Sequence, residues 1–438
     1  MVNVDILFHR VKYSKGKLIP KLTRSLEVKR VNSPANMAKI EPFRALRPCP
    51  KKAENISAPP YDVVSTEEAR LMAGENPLSF LRVSKPEIDM PPDTNPYAPE
   101  VYAKGTEIFN RMLSDGHFSV EEAPAFYLYR QVMGDHSQIG LVALADCNQY
   151  ENGEIKKHEL TRPIKEDDRV RHIKALNSQT GLVFLVYRRV QVIEEFITKR
   201  AMADPDLDFT AVDGVRHTVW TVAKENDISF LRDAFAEVES LYIADGHHRS
   251  AAAARVSRER NGSGGSGGFI TVIFPDHQIQ ILPYNRVVKD LNGLSADEFI
   301  RKLDDVFEEN GEGQPEFKNE VALYLGDRWQ RLRFRSDYAH GDTIEDTLDV
   351  TLLQQHVFAP LLGIDDPRTS SRIGFIGGIR GLSELEKRVD DQDWACAFSL
   401  HPTTISDLLA IADGGGLMPP KSTWFEPKLR DGLFCHNL

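Results

Sequence analysis

The sequence predicts an α/β fold, and three observations carry that prediction. Short apolar runs alternate with amphipathic helical segments from about residue 56 to residue 412. One run, residues 241–244, passes straight into Asp245-Gly246-His247-His248-Arg249 and then an alanine-rich stretch, the pattern of a strand, a glycine turn and a helix. Hydrophobic residues make up 41% of the 438 and charged residues 27%, which suits a packed chain and not a disordered one. At this length two or three packed units are expected.

The elements follow in order. Residues 1–36 are basic and weakly periodic and read as an N-terminal extension, with an edge hairpin as the alternative. The run 56–64 is broken by Pro59 and Pro60 and is expected to be a strand end or loop. Ser65-Thr66-Glu67-Glu68 is a capping box that starts a helix. Residues 80–83 read as a short strand. Tyr102, Ile108, Phe109 and Met112 recur at helical spacing within 97–115, ahead of Gly116. Apolar runs 125–133 and 139–147 flank Gly134-Asp135 and predict a hairpin. A charged helix is expected over 165–176, buried strands over 181–187 and 241–244, and a helix over 250–260. Asn261 to Gly268 has the composition of a flexible linker, and 269–274 is strand-like. The last third reads as a strand (281–288), a helix (295–307), a hairpin (321–334), a helix (348–362), a strand (372–375), a helix (382–389), a strand (394–400) and a helix (403–412). A boundary near residue 285 divides a core, 37–284, from a C-terminal α/β domain, 285–438.

Composition also excludes some functions. The formal net charge of −11 argues against a broad nucleic-acid face, which needs a basic stripe to displace counterions. The four cysteines, Cys49, Cys147, Cys396 and Cys435, are scattered and offer no zinc-type pair. No apolar window approaches 18 residues, and the first residues lack the basic-then-apolar pattern of a secretory leader. A cytoplasmic protein, away from membranes, is expected.

The strongest local feature is the turn at Asp245. A buried strand ending at a glycine and opening a helix brings free N–H groups and the positive end of the helix dipole together, a ready anion site. Arg249 adds a bidentate charged contact, His247 and His248 donate hydrogen bonds or shuttle a proton, and Asp245 holds a magnesium ion or fixes a histidine tautomer. The second feature is Lys157-His158-Glu159-Leu160-Thr161-Arg162-Pro163-Ile164-Lys165. A carboxylate beside a histidine and a lysine fits a tuned general base, and Arg162 and Lys165 fit phosphate contacts, although a solvated helix start explains the same charges. The third is Gly414 to Thr423. Pro420 stands where a Walker loop needs its second glycine, so that motif is rejected, while Lys421, Ser422 and Thr423 keep the groups to approach a phosphate. Weaker candidates are Asp62, in Pro59-Pro60-Tyr61-Asp62, and Asn285 and Arg286, in Leu282-Pro-Tyr-Asn-Arg286.

Together these segments resemble a bacterial and archaeal family catalogued as "domain of unknown function 1015". The matching pieces are Phe43-Arg-Ala-Leu-Arg-Pro48, Ala58-Pro-Pro-Tyr-Asp-Val-Val64, Asn76-Pro-Leu-Ser-Phe80, His158-Glu159-Leu-Thr161, Tyr242 to Arg249, Leu282 to Arg286, and Met418-Pro-Pro-Lys-Ser-Thr423 with Pro427-Lys428. The family is similar to the free serine kinases of the ParB/sulfiredoxin superfamily. That resemblance implies a ParB/sulfiredoxin-like nucleotide-binding core with insertions. It implies ATP or ADP with Mg²⁺, and phosphoryl transfer to a small hydroxyl compound such as free L-serine. Glu159 would be the base. Asp245, Gly246, His247, His248 and Arg249 would handle phosphate and metal, and Lys421 to Thr423 would close over the nucleotide. The large insertions between Glu159 and Asp245 depart from that pattern and put the acceptor in question. The alternative is a ParB-like nucleotide-binding regulatory or DNA-associated protein without kinase activity. A sulfiredoxin-like reductase is excluded, because the turn has no cysteine.

Overall fold

Two long antiparallel strands, Phe126–Met133 and His136–Asp146, form the middle of the larger sheet. They are joined by a two-residue turn at Gly134-Asp135, where Gly134 takes a φ of +56°. The computed structural model describes residues 37–438 other than residue 392, so the extension expected for residues 1–36 lies outside the described residues.

The larger sheet has nine strands and mixed pairing. From one edge it runs Ile155–Lys156, Leu241–Asp245, Val183–Tyr187, Gly268–Pro275, His136–Asp146, Phe126–Met133, Arg216–Val222 and Leu207–Thr210, with Ile40–Glu41 paired to His136–Asp146 off this path. Its central strands are buried on both faces, so they read as nearly unbroken apolar runs. One face carries the helices Gln191–Arg200, Glu225–Phe235 and His247–Glu259, through Ile193, Leu231, Phe235 and Ala253. The other face is covered from the far end of the chain by Leu408, Leu409, Phe425, Leu429, Leu433 and Phe434. A second sheet is six-stranded and wholly antiparallel, in the order Phe307–Glu309, Trp329–Phe334, Glu320–Tyr324, Cys396–Leu400, Tyr284–Val288, Ile373–Gly377. It packs its own core around Phe299, Leu323, Leu353 and Phe398. The two-stranded pair of Gln280–Leu282 with Trp424–Glu426 leads the chain into the second sheet and, at its return, into the tail.

Most predicted elements are present, and the α/β class stands. The capping box forms at Ser65 and Glu68. Three readings are corrected. Residues 80–83, read as a strand, belong to the short helix Leu81–Ser84, because Phe80 is packed edge-on against Phe109 and Phe118 and that contact outweighs local β propensity. The helix expected over 348–362 is an α-helix only at Asp349–Leu353 and widens into a π-turn over Gln354–Phe358. The glycine/serine stretch read as a flexible linker is folded into successive turns. Gly262 N–H donates to the Ser257 carbonyl, Ser266 is buried, and the Gly265 carbonyl meets His436 Nε2 at 2.7 Å. The segment 188–240, for which no element was predicted, supplies two helices and two strands of the larger sheet. Among the described residues no helix is long and apolar enough to cross a membrane.

Candidate active site

The strand Leu241–Asp245 is buried up to Ala244 and delivers Asp245 at its end. Gly246 then turns the chain with a φ of +101°, a backbone that L side chains adopt at a cost. The turn is also crowded, since a Cβ on Gly246 would stand 3.2 Å from Cζ and Nε of Arg249. The helix His247–Glu259 begins at once, and no side chain caps it. Its first N–H groups therefore have no capping side chain.

This corner opens on a cavity of about 450 Å³. Asp62, His158, Glu159, Arg162, Lys165, Asp245, Gly246, His247, His248, Lys421, Ser422 and Thr423 all line it, so residues far apart in the chain share one wall. Two loops are tied there, because Met418 N–H donates to the His158 carbonyl at 2.8 Å. The cavity also takes in Lys85 and Lys428, which no local pattern singled out as site residues. Five basic side chains (Lys85, Arg162, Lys165, Lys421 and Lys428) face three acidic ones (Asp62, Glu159 and Asp245). A chain with a net charge of −11 thus keeps a locally positive pocket.

The charges are individually tuned. Burial pushes the Asp245 carboxyl up, but Lys428, Arg249, His247 and Lys421 outweigh burial and hold it well below the usual carboxylate range. Lys428 Nζ lies 3.9 Å from Asp245 and 4.5 Å above the Trp424 ring. Glu159 is exposed to the cavity, yet the walls around it raise its carboxyl above the ordinary value, against the pull of Lys421 and Arg162. Burial keeps His158 neutral, pushing it down to about 4. His247 is pushed well below its usual value by burial and by its neighbour His158. His248 is lowered by burial too, and its Nε2 accepts the Arg162 N–H at 3.0 Å, which leaves Nδ1 as the protonated nitrogen.

Three candidates lie elsewhere. Arg249 is not on the cavity wall. Its buried guanidinium donates to the Leu182 carbonyl and pairs with Asp245 at 3.2 Å and Asp62 at 3.5 Å. It therefore fixes the two carboxylates from behind and offers no free fork to a phosphate. Asn285 is buried, and its Oδ1 accepts the Leu400 N–H at 3.1 Å. Arg286 is buried against Phe375 and donates to the Tyr284 and Lys421 carbonyls, so it props the loop that carries Lys421. The Ser422 hydroxyl donates to the Pro419 carbonyl at 2.6 Å and shapes that loop from within.

A layer of buried charge lies behind the cavity. Arg169 donates twice to Asp168, with its guanidinium 3.8 Å above the Tyr61 ring, while Tyr102 donates to the other Asp168 oxygen at 2.9 Å. Asp431 is enclosed beside Arg249 and Arg169, and burial raises its carboxyl to about 7.

Comparison with curated protein sequences finds no match. Among solved structures, a C-terminally truncated SbnI from Staphylococcus aureus is similar at a TM-score of 0.36 and 12% identity, covering 68% of this chain and 85% of that one. A conserved hypothetical protein from Pyrococcus furiosus gives 0.33 and 12%, covering 66% and 93%. A free serine kinase in complex with AMP gives 0.34 and 12%, covering 65% and 86%. Superpositions this loose assign no function. The family-wide sequence profile described as a protein of unknown function, DUF1015, matches residues 40–351, most of the chain, and the chain therefore belongs to the DUF1015 family.

Proposed function

We propose that the protein is a nucleotide-dependent phosphotransferase that acts on a small hydroxyl compound, with free L-serine as the default acceptor. One observation carries the reading: the uncapped helix start at Gly246 opens on the same cavity as Lys421, Lys428 and the carboxylate of Glu159. Phosphoryl transfer gains mainly from positioning and from positive charge around the moving group, and this cavity supplies both. In this reading the free N–H groups at the helix start and the Nδ1–H of His248 cradle the phosphates of ADP or ATP. Lys421 and Lys428 neutralise the charge that spreads over the transferred group. Glu159, raised above the usual carboxylate range, takes the proton of the acceptor hydroxyl. Arg249 keeps Asp245 and Asp62 in place. Those two carboxylates are the oxygen ligands that would hold Mg²⁺ together with nucleotide phosphates, the kind of site magnesium prefers.

The test is a turnover assay by phosphorus NMR with ADP or ATP, Mg²⁺ and a panel of hydroxyl compounds headed by L-serine. Glu159→Gln should lower turnover by roughly 10²–10⁴, the usual worth of a positioned base. Nucleotide binding should be retained in that variant. A wild-type rate from Glu159→Gln removes Glu159 from the base role, and no consumption of any nucleotide removes the proposal.

A further inference from the structure

Two imidazoles and a carboxylate converge on the inner wall of the cavity in a way that phosphate binding does not require. One ligand-capable atom from each of His158, Glu159 and His247 lies within 4.8 Å of the other two. The histidine rings meet edge to face, 4.5 Å between centroids, and are 2% and 6% exposed. Buried ring nitrogens ordinarily find hydrogen-bond partners. Nδ1 of His158 makes no well-formed hydrogen bond among the described residues, the Ile243 carbonyl being the one backbone group that acts on this ring. Among the described residues, the hydrogen bond to a ring nitrogen of His247 is the long one, 3.5 Å, from the His158 N–H to Nε2. A buried nitrogen that lacks a good partner is unfavourable, so an unfilled cluster is a poor way to pack two histidines.

We propose that His158, Glu159 and His247 bind a divalent transition metal ion of the zinc class, with its remaining coordination position open to the cavity. Two imidazoles and one carboxylate suit Zn²⁺, Fe²⁺ or Co²⁺, whereas Mg²⁺ takes oxygen ligands and belongs with Asp245 and Asp62. Around a tetrahedral ion with bonds of roughly 2.0–2.2 Å, ligand atoms stand roughly 3.4 Å apart. The 4.8 Å within which the three atoms lie is close enough for small side-chain adjustments to bring them to that spacing. The buried histidines are held by their surroundings, while Glu159 is exposed on an irregular bend and free to swing in. Three protein ligands and an open face describe a reactive metal site and not a closed structural one.

The inference does not depend on the phosphotransferase reading, and the two compete for Glu159, because a carboxylate bound to the ion is not free to act as the base. The experiment uses the full chain, stripped with chelator and titrated with Co²⁺, and follows the visible absorption of the bound ion and its displacement by Zn²⁺. One equivalent is expected to bind. Glu159→Gln, a change at an exposed position, should weaken binding by at least about tenfold, with an unchanged urea midpoint showing that the variant is folded. His340→Ala, a surface histidine, should bind as wild type does. Failure of the wild type to bind Co²⁺ or Zn²⁺ overturns the proposal, and so does equal binding by Glu159→Gln. A thermal shift with ADP and Mg²⁺ on the stripped protein separates the two readings. A shift without transition-metal binding sinks only this inference, and metal binding without a shift sinks only the nucleotide reading.

Discussion

Replacing Gly246 by alanine should destabilise the protein by about 2–5 kcal/mol, from two terms of comparable size. The backbone at Gly246 has a φ of +101°, and a side chain in left-handed backbone costs about 1–2 kcal/mol. The new Cβ would stand 3.2 Å from Cζ and Nε of Arg249 and 3.4 Å from Cα of Val183. Retreat of the guanidinium is restrained by the Leu182 carbonyl, Asp245 and Asp62, so overpacking adds about 1–3 kcal/mol. Gly134→Ala is the control. Its φ of +56° carries the backbone cost, but nothing lies within 4 Å of the Cβ. Urea titration of both variants, read from the midpoint at unchanged slope, isolates the crowding term as a difference of about 1–3 kcal/mol. The ADP-induced thermal shift should also vanish in Gly246→Ala and persist in Gly134→Ala. If the two variants lie within about 0.5 kcal/mol of each other, the usual scatter of such comparisons, the account of a crowded corner is wrong.

Other outcomes follow from the same geometry. Lys428→Ala removes the foremost cation acting on Asp245 and should weaken ADP binding roughly tenfold, as loss of a charge-assisted contact does. Calorimetric titration checks it, and a Kd within a factor of two of wild type counts against a place for Lys428 at the phosphates. Asp431→Asn should gain on the wild type as pH rises. The folded carboxyl sits at about 7 because it is buried, while an unfolded aspartate titrates near 3.9. The folded chain thus holds a proton that the unfolded chain has released, and the penalty is absent below pH ~4 and complete above pH ~7. The full effect is on the order of 4 kcal/mol, read as the difference in urea stability between variant and wild type at pH 4.5 and pH 8. A pH-independent difference would show that Asp431 is ionised throughout.

The parts of this fold that a reader of the sequence can see are those whose signal is local. The corner at Asp245 is legible because strand, glycine and helix follow within ten residues and because only glycine suits that backbone. The capping box at Ser65 is legible for the same reason. The strand Arg216–Val222 is not, since it buries His217 and Thr218 beside its apolar residues and shows no clean alternation. His217 is accommodated by Tyr129 and Arg430, from distant parts of the chain. Lys428 is seen in the sequence, with Pro427, only as part of the family resemblance and without a role, because it matters only once the tail returns to Asp245. Arg249 shows the opposite error. Its type and position suggested a phosphate ligand, and only the placement of Asp62 and Leu182 shows that it is already engaged. The glycine/serine stretch was misjudged because composition reports the freedom of an isolated chain and not the contacts that remove it, here His436.

The return of the tail has a consequence for biosynthesis. Phe425, Leu429, Leu433 and Phe434 close one face of the larger sheet, and Lys421 and Lys428 complete a pocket that Tyr61 also lines. A ribosome adding roughly 5–20 residues per second needs tens of seconds to travel between Tyr61 and Lys428. Once Gly268–Pro275, the last strand of that sheet, has been made, its apolar face waits for the tail residues that cover it. Premature termination before Lys421 would leave that face bare and the pocket without Lys421 and Lys428.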